Sequence, residues 1–215
     1  MSSDSIEKLF EDGLSSLSFT LSNEILEKLI SYQSCLSKWN KTINLTAHRS
    51  LANSIEKNFL DSLSMSSFIR GDRVLDFGSG AGFPGLVLAI YYPRKTFFLI
   101  EADLKKSSFL KYVVSTLDLK NVSIISKYVE MKSVAEVFPP HLDSIVSRAT
   151  ISPDLLINFA DLSLKSNHHL LLMLSQKQIL NFELNSNSKF EIEEKQKYLL
   201  PWSKVVHYLL ILRKK

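Results

Sequence analysis

The sequence predicts an α/β fold: a doubly wound, mostly parallel, seven-stranded sheet with helices on both faces, behind a helical N-terminal extension. Three observations carry this. Apolar runs of strand length alternate with helical patterns from residue 71 onward, as expected of parallel strands joined by crossover helices. The first of those runs, Arg73 to Phe77, opens into a loop holding four of the chain's six glycines. Residues 1–70 show no strand alternation and instead carry apolar residues at helical spacing. The chain therefore divides into an N-terminal helical extension, residues 1–70, packed on a core domain, residues 71–215.

Taken in order, Ile6, Leu9, Phe10, Leu14 and Leu17 form a short helical pattern, with a turn expected at Gly13. Ser22 is a suitable N-cap, with Glu24 in the first turn, for an amphipathic helix through Ile25, Leu26, Leu29, Ile30, Tyr32, Leu36 and Trp39. A second helical run spans about Leu51 to Phe68 and ends near Gly71. After the first strand, Thr96 to Ala102 reads as a second buried strand. Lys105 to Leu119 follows as a helix with Phe109, Leu110, Val113, Val114 and Leu117 inward. Val122 to Ser126 and Asp143 to Ser147 are the third and fourth strands. A helix over Asp154 to Leu164 precedes the fifth strand, His169 to Leu174. Two β-like runs, Phe190 to Leu199 and Val205 to Leu212, suit a terminal antiparallel hairpin. Phe138-Pro139-Pro140 and the polar stretch Asn181 to Lys189 read as breaks.

Composition bounds the function. With 215 residues, 45% apolar and 22% charged, the chain suits one globular domain with an appended segment. No stretch approaches the roughly 20 apolar residues that span a bilayer, and Met1-Ser2-Ser3-Asp4 lacks a signal-peptide pattern. A cytoplasmic chain with no membrane partner is expected. The single Cys35 excludes an internal disulfide and a multi-cysteine metal centre, and reads as a buried small hydrophobe. His168 and His169 lack accompanying ligands, so no metal site is read. No coiled-coil or symmetric patch is legible, and a monomer is expected. The net charge of +4, from 26 basic and 22 acidic residues, is modest but of the sign that phosphate attraction needs.

The glycine loop carries the chemistry. Val74 to Gly85 reads strand, loop, helix, with Pro84 suited to the first helical position, where its missing N–H costs nothing. Glycines permit positive φ and close approach of a ligand to the main chain, and the helix start favours an anionic or polar group. Such a loop is a cradle for a nucleotide-type cofactor, and two classes fit. Gly80-x-Gly82-x-x-Gly85 matches the dinucleotide fingerprint, with Glu101 about 20 positions on as the ribose acid, giving an NAD-dependent oxidoreductase. Asp76-x-Gly78-x-Gly80-x-Gly82 adds an acid inside the strand, which can hold a loop amide or meet the amino group of a methionine-derived cofactor. In this form the loop resembles the first motif of the Rossmann-like class I S-adenosylmethionine-dependent methyltransferases.

Ligands collect at the carboxyl ends of strands in open α/β sheets. That rule selects Asp76, Gly78, Ser79, Gly80 and Gly82 after the first strand and Glu101 after the second. It also selects Lys127 to Glu130 after the third and Ser147-Arg148-Ala149 after the fourth. Glu101 suits two ribose hydroxyls; its alternative is a surface pair with Lys105.

Several motifs together resemble one family, ribosomal RNA small subunit methyltransferase G, also called glucose-inhibited division protein B. They are Trp39-Asn40-Lys41 with Asn44-Leu45-Thr46, Phe59-Leu60-Asp61-Ser62-Leu63, Asp76 through Gly85, Lys105-Lys106-x-x-Phe109-Leu110, and Ser147-Arg148-Ala149. The resemblance covers roughly residues 36–150. It implies methyl transfer from S-adenosyl-L-methionine to N7 of a guanine in 16S ribosomal RNA, in the decoding region of the small ribosomal subunit. It also implies that Gly78, Phe83, Val129, Glu130 and Arg148 contact the cofactor. The chain departs from the family at Lys57-Asn58, where a basic-His pair is usual, at Tyr128, and at Ser175-Gln176-Lys177; residues beyond about 155 match weakly.

The residues themselves agree with that chemistry. Guanine N7 carries an unprotonated lone pair, so attack on a sulfonium methyl needs alignment and desolvation rather than a general base. Ser147-Arg148-Ala149-Thr150 differs from the Asp/Asn-Pro-Pro-aromatic loop of exocyclic-amine methyltransferases. Arg148 can orient the cofactor, bind phosphate or a guanine edge, or pair with Asp143 or Asp76. Lys38, Lys41, His48, Arg49 and Lys57 make the N-terminal segment basic, and Lys41, Asn44, Arg49 and Lys57 are the RNA-contact candidates. Trp39 reads as a packing anchor.

Overall fold

The computed structural model describes residues 3–48, 50–148 and 151–215. The seven strands are β1 (Arg73–Phe77), β2 (Thr96–Ile100), β3 (Val122–Ile125), β4 (Leu142–Arg148), β5 (Leu164–Ser175), β6 (Phe190–Leu199) and β7 (Val206–Lys214). They form one sheet in the order β3-β2-β1-β4-β5-β7-β6. β1 to β5 run parallel, and β7 runs antiparallel to both of its neighbours. The closing pair is the expected hairpin, but β7 inserts between β5 and β6. Its Leu209 to Leu212 are buried, as an interior strand requires, whereas β6 carries Glu191, Glu193, Glu194, Lys195 and Lys197, a charged face suited to a sheet edge.

The helices are α1 (Ser3–Ser16), α2 (Asn23–Trp39), α3 (Leu51–Ser54), α4 (Asp61–Leu63), α5 (Gly85–Tyr91), α6 (Leu104–Thr116), α7 (Val134–Val137), α8 (Pro153–Ser163) and α9 (Gln176–Leu180). A π-helical turn, Ile55–Leu60, joins α3 to α4. Ser22 caps α2 by accepting from Ile25 N–H at 3.4 Å, and Asp103 caps α6 by accepting from Lys105 and Lys106 N–H at 2.8 and 3.0 Å. One face of the sheet is covered by α1, α2, residues 51–69, α5 and α6, the other by α7, α8 and α9. Phe10, Leu29, Tyr32 and Phe59 share a single core with Val74, Phe97 and Leu209. The N-terminal extension is thus built into one face of the sheet.

Four expectations change. α1 runs straight through Gly13, because a Cβ there would collide with Leu60 Cδ1; this glycine is a close-packing site, not a turn. Pro84 stands one residue before α5 as its N-cap, after a cis peptide bond. The short helices α7 and α9 lie just ahead of the breaks read at Phe138-Pro139-Pro140 and Asn181 to Lys189, in stretches given no element, since four or five residues are too few for helical periodicity to register. Residues 51–63 are not a regular α-helix: they contain the π-helical turn, and Glu56, Asn58 and Asp61 along them are buried.

Candidate active site

The strand order reverses between β1 and β4, and the glycine loop leaves the sheet there. Gly78, Gly80 and Gly82 take φ of +72, +59 and +96°, a region that side chains rarely adopt. Gly78 and Ser79 N–H both donate to Ile100 O at 3.0 Å, which folds the loop back over the end of β2. A Cβ on Gly80 would meet nothing within 4 Å, so that main chain borders open space. The Gly80 N–H donates to Glu101 Oε2 at 2.7 Å, and Asp103 N–H donates to Glu101 Oε1 at 2.8 Å. Both Glu101 oxygens are thereby aligned at the rim of a cleft of about 420 Å³. Gly78, Gly80, Lys106, Val129 and Arg148 also line it, with Phe77, Ile100 and Phe159 as an apolar lining.

Asp76 lies beneath this cleft rather than in it. It is fully buried, and its Oδ2 accepts from Gly85 N–H at 2.9 Å. A Cβ on Gly85 would stand 2.5 Å from that oxygen, so the fourth glycine is the space the carboxylate occupies. Burial pushes the Asp76 carboxyl up to about 7, against the pull of the Gly85 amide. Of the two roles the sequence left open for this acid, the structure displays the loop amide. The loop is braced from the N-terminal extension: the buried Tyr32 hydroxyl donates to Ala81 O, and its ring stacks on Phe83 at 5.3 Å and 13°. A Cβ on Gly82 would stand 2.5 Å from that same hydroxyl.

Arg148 ends β4 on the cleft's far wall. Its Nη1 donates to Lys57 O at 2.7 Å, its Nη2 to Asn58 Oδ1 at 3.2 Å, and its guanidinium lies 5.4 Å from the centre of the Phe83 ring. Asp61 Oδ2 stands 3.6 Å from Nη1. The ion-pair partner is therefore Asp61 rather than Asp143 or Asp76. Asp143 accepts instead from Asp72 and Arg73 N–H at 2.7 and 2.9 Å at the opposite end of β1. Arg148 also lines a second groove, of about 860 Å³, with His48, Lys57, Lys177, Lys204 and His207. Burial there, together with the charges of Lys57 and Arg148, pushes His48 below its ordinary range.

Of the cofactor candidates, Gly78, Gly80, Glu101, Val129 and Arg148 border one cleft. Asp76, Ser79, Gly82 and Phe83 are buried behind it, where they shape the loop and support Arg148. Glu130 caps the short helical turn Met131–Ser133 and pairs with Lys132 at 3.0 Å. Of the RNA candidates, Lys57 borders the basic groove, whereas Lys41 borders a separate hollow with His48. Asn44 is exposed in a loop closed by Asn40, whose Oδ1 accepts from Leu45 and Thr46 N–H at 2.8 and 3.0 Å. Arg49 lies outside the described residues, as do Ala149 and Thr150. Trp39 is a packing anchor, its ring centre 5.5 Å from Phe109 and 5.2 Å from Tyr112 on α6. Asp61, Lys177, Lys204 and His207 escaped sequence reasoning because distant elements bring them together; the buried acid in Leu60-Asp61-Ser62 was the one available signal.

Sheet order, the glycine loop at the switch point and the acid at the end of β2 define a Rossmann-like, class I S-adenosylmethionine-dependent methyltransferase fold. Among solved structures, the chain is similar to precorrin-6y C5,15-methyltransferase from Geobacter metallireducens, with a TM-score of 0.54 and 15% identity over 72% of this chain and 87% of that one. Residues 25–206 match the family model described as rRNA small subunit methyltransferase G, and the chain belongs to that family. It is 30% identical to the ribosomal RNA small subunit methyltransferase G of Francisella tularensis subsp. novicida over 99% of each chain. With that of Dichelobacter nodosus it shares 42% identity over 58% of this chain, a match spanning 59% of the relative's length. The family leaves the NAD-dependent reading without support. The geometry agrees, since Gly82 and Gly85 of the dinucleotide register make room for Tyr32 and Asp76.

Proposed function

We propose that this chain methylates N7 of a guanine in 16S ribosomal RNA, in the decoding region of the small subunit, with S-adenosyl-L-methionine as methyl donor. The observation that carries this reading is the junction at Arg148, where a glycine-lined cleft with a held carboxylate meets a groove bordered by Lys57, Lys177 and Lys204. The cleft's residues suit the donor. Gly78 and Gly80 expose main chain, Glu101 offers remaining acceptor capacity to vicinal hydroxyls, and Phe77, Ile100, Val129 and Phe159 offer an apolar slot for a nucleobase. S-adenosylmethionine bound there would supply an electrophilic methyl group.

The chain's own residues then have three tasks. The groove lysines attract and retain the phosphate backbone. Arg148, fixed by Lys57 O and Asn58, orients the groups that meet at the junction. The apolar lining and the buried loop exclude water from the transfer. Guanine N7 carries no proton, so no residue needs to serve as general base; alignment is the main contribution.

Calorimetric titration tests the donor assignment. Saturable binding of S-adenosylhomocysteine, absent in Gly78→Arg and with no binding of NADH, is the expected result. Binding of NADH alone would sink the proposal.

A further inference from the structure

We infer that Asp61 is a positioning residue for this methyl transfer, and that the C-terminal hairpin sets it through Tyr198 and His207. The inference rests on the functional reading above. Asp61 is 1% exposed, and one of its oxygens, Oδ1, accepts from Tyr198 Oη at 2.7 Å and lies 3.0 Å from His207 Nδ1. Tyr198 and His207 are directly opposed across the β6–β7 ladder, so one cross-strand pair delivers both contacts. Burial and the Asp61 charge raise the Tyr198 hydroxyl far above its ordinary range, which keeps it a donor. The other oxygen, Oδ2, accepts no hydrogen bond among the described residues and faces Arg148 Nη1 at 3.6 Å.

The hairpin is held a second time by the same N-terminal segment. Glu56 Oε1 accepts from Trp202 and Ser203 N–H, at 2.6 and 2.7 Å, in the turn between β6 and β7. Two buried carboxylates, Glu56 within the π-helical turn and Asp61 just after it, therefore clamp the hairpin onto the segment that also holds Arg148. Asp61 is buried and Arg148 is half-buried beside it, so a shift of Asp61 is resisted by the loss of its charged neighbour and carries to the guanidinium. Both also border the groove, which places this pair at the seam between donor cleft and acceptor groove. The role of this partly buried pair is to set the orientation of Arg148 rather than to add stability, and fixed orientation is what this reaction requires.

Single-turnover methyl transfer to unmodified small-subunit RNA tests the inference, with thermal unfolding recorded for each variant. Tyr198→Phe keeps the ring and removes one donor. It is expected to lower the rate about tenfold, equivalent to ~1.4 kcal/mol of barrier. In an Arg148→Lys background the same change is expected to alter the rate less than about twofold, because the two residues act through one contact. His207→Ala is expected to lower the rate, and His207→Asn, whose amide N–H can stand where Nδ1 stood, to restore most of it. The His207 pair decides the matter should Tyr198→Phe fail to fold. Equal losses in both Arg148 backgrounds, or an unchanged rate in Tyr198→Phe, would overturn the positioning role. An inactive wild-type protein would instead refute the functional reading, and this inference with it.

Discussion

Replacing Asp76 by Asn removes one ionisable group from beneath the glycine loop with almost no change in volume. Asp76 is fully buried, and burial is the largest influence on a carboxyl raised from an ordinary 3.8 to about 7. A group raised on folding favours the native state while protonated, and that contribution is lost as pH climbs through the folded value. The loss accrues at ~1.36 kcal/mol per pH unit over the span where only the unfolded chain is ionised. Between about pH 5 and about pH 8 the wild type should therefore lose about 2.5 kcal/mol through this residue alone. Asp76→Asn should lack that component. The variant's Nδ2 stands where Asp76 has an oxygen with no hydrogen-bond partner among the described residues, an unsatisfied amide worth about 1–3 kcal/mol. That cost is the same at both pH values and cancels in the comparison. Urea unfolding at the two pH values measures the difference. Parallel pH dependences in wild type and variant would refute the assignment of a protonatable Asp76.

Three further outcomes are expected. Gly13→Ala places a methyl group against Leu60 and 3.2 Å from the Trp202 ring. Although Ala favours a helix by ~1 kcal/mol, overpacking should prevail and lower the thermal midpoint; a higher midpoint would show that the site tolerates a side chain. Glu101→Gln turns a donor toward either Gly80 or Asp103 N–H and should weaken S-adenosylhomocysteine binding about tenfold or more by calorimetry. Unchanged affinity would remove Glu101 from the cofactor site. Lys177→Glu with Lys204→Glu should weaken RNA binding and reduce the slope of log affinity against log salt by about 2, with S-adenosylhomocysteine affinity unchanged. An unaltered slope would remove the groove from the RNA surface.

The parts of this molecule legible in the sequence are those governed by local rules. Strand-length apolar runs and the glycine loop located β1 to β5, since burial on both faces leaves a continuous hydrophobic stretch. Glu101 and Arg148 followed from the strand-end rule without knowledge of their contacts. What escaped depends on contacts distant in sequence. Gly13 resembled a helix breaker because its true reason, the Leu60 side chain, lies 47 residues away. Phe83 packs between Tyr32 and Arg148, a placement set by a helix from the N-terminal extension that no local pattern shows. Asp61 lies inside the Phe59-Leu60-Asp61-Ser62-Leu63 motif with no task evident from its neighbours. Its partners Tyr198 and His207 come from the terminal hairpin, more than 130 residues further along the chain, and no local pattern joins them.

Methyl transfer itself is the most direct measurement. Purified protein is incubated with methyl-labelled S-adenosylmethionine and small ribosomal subunits, or 16S RNA, lacking the modification. The RNA is then cleaved at 7-methylguanine by reduction and aniline treatment. Label in 16S RNA, with a single cleavage at a decoding-region guanine that Glu101→Gln diminishes, is the expected result. Label on another atom or another RNA, or none in the presence of bound donor, would contradict guanine-N7 methylation by this chain.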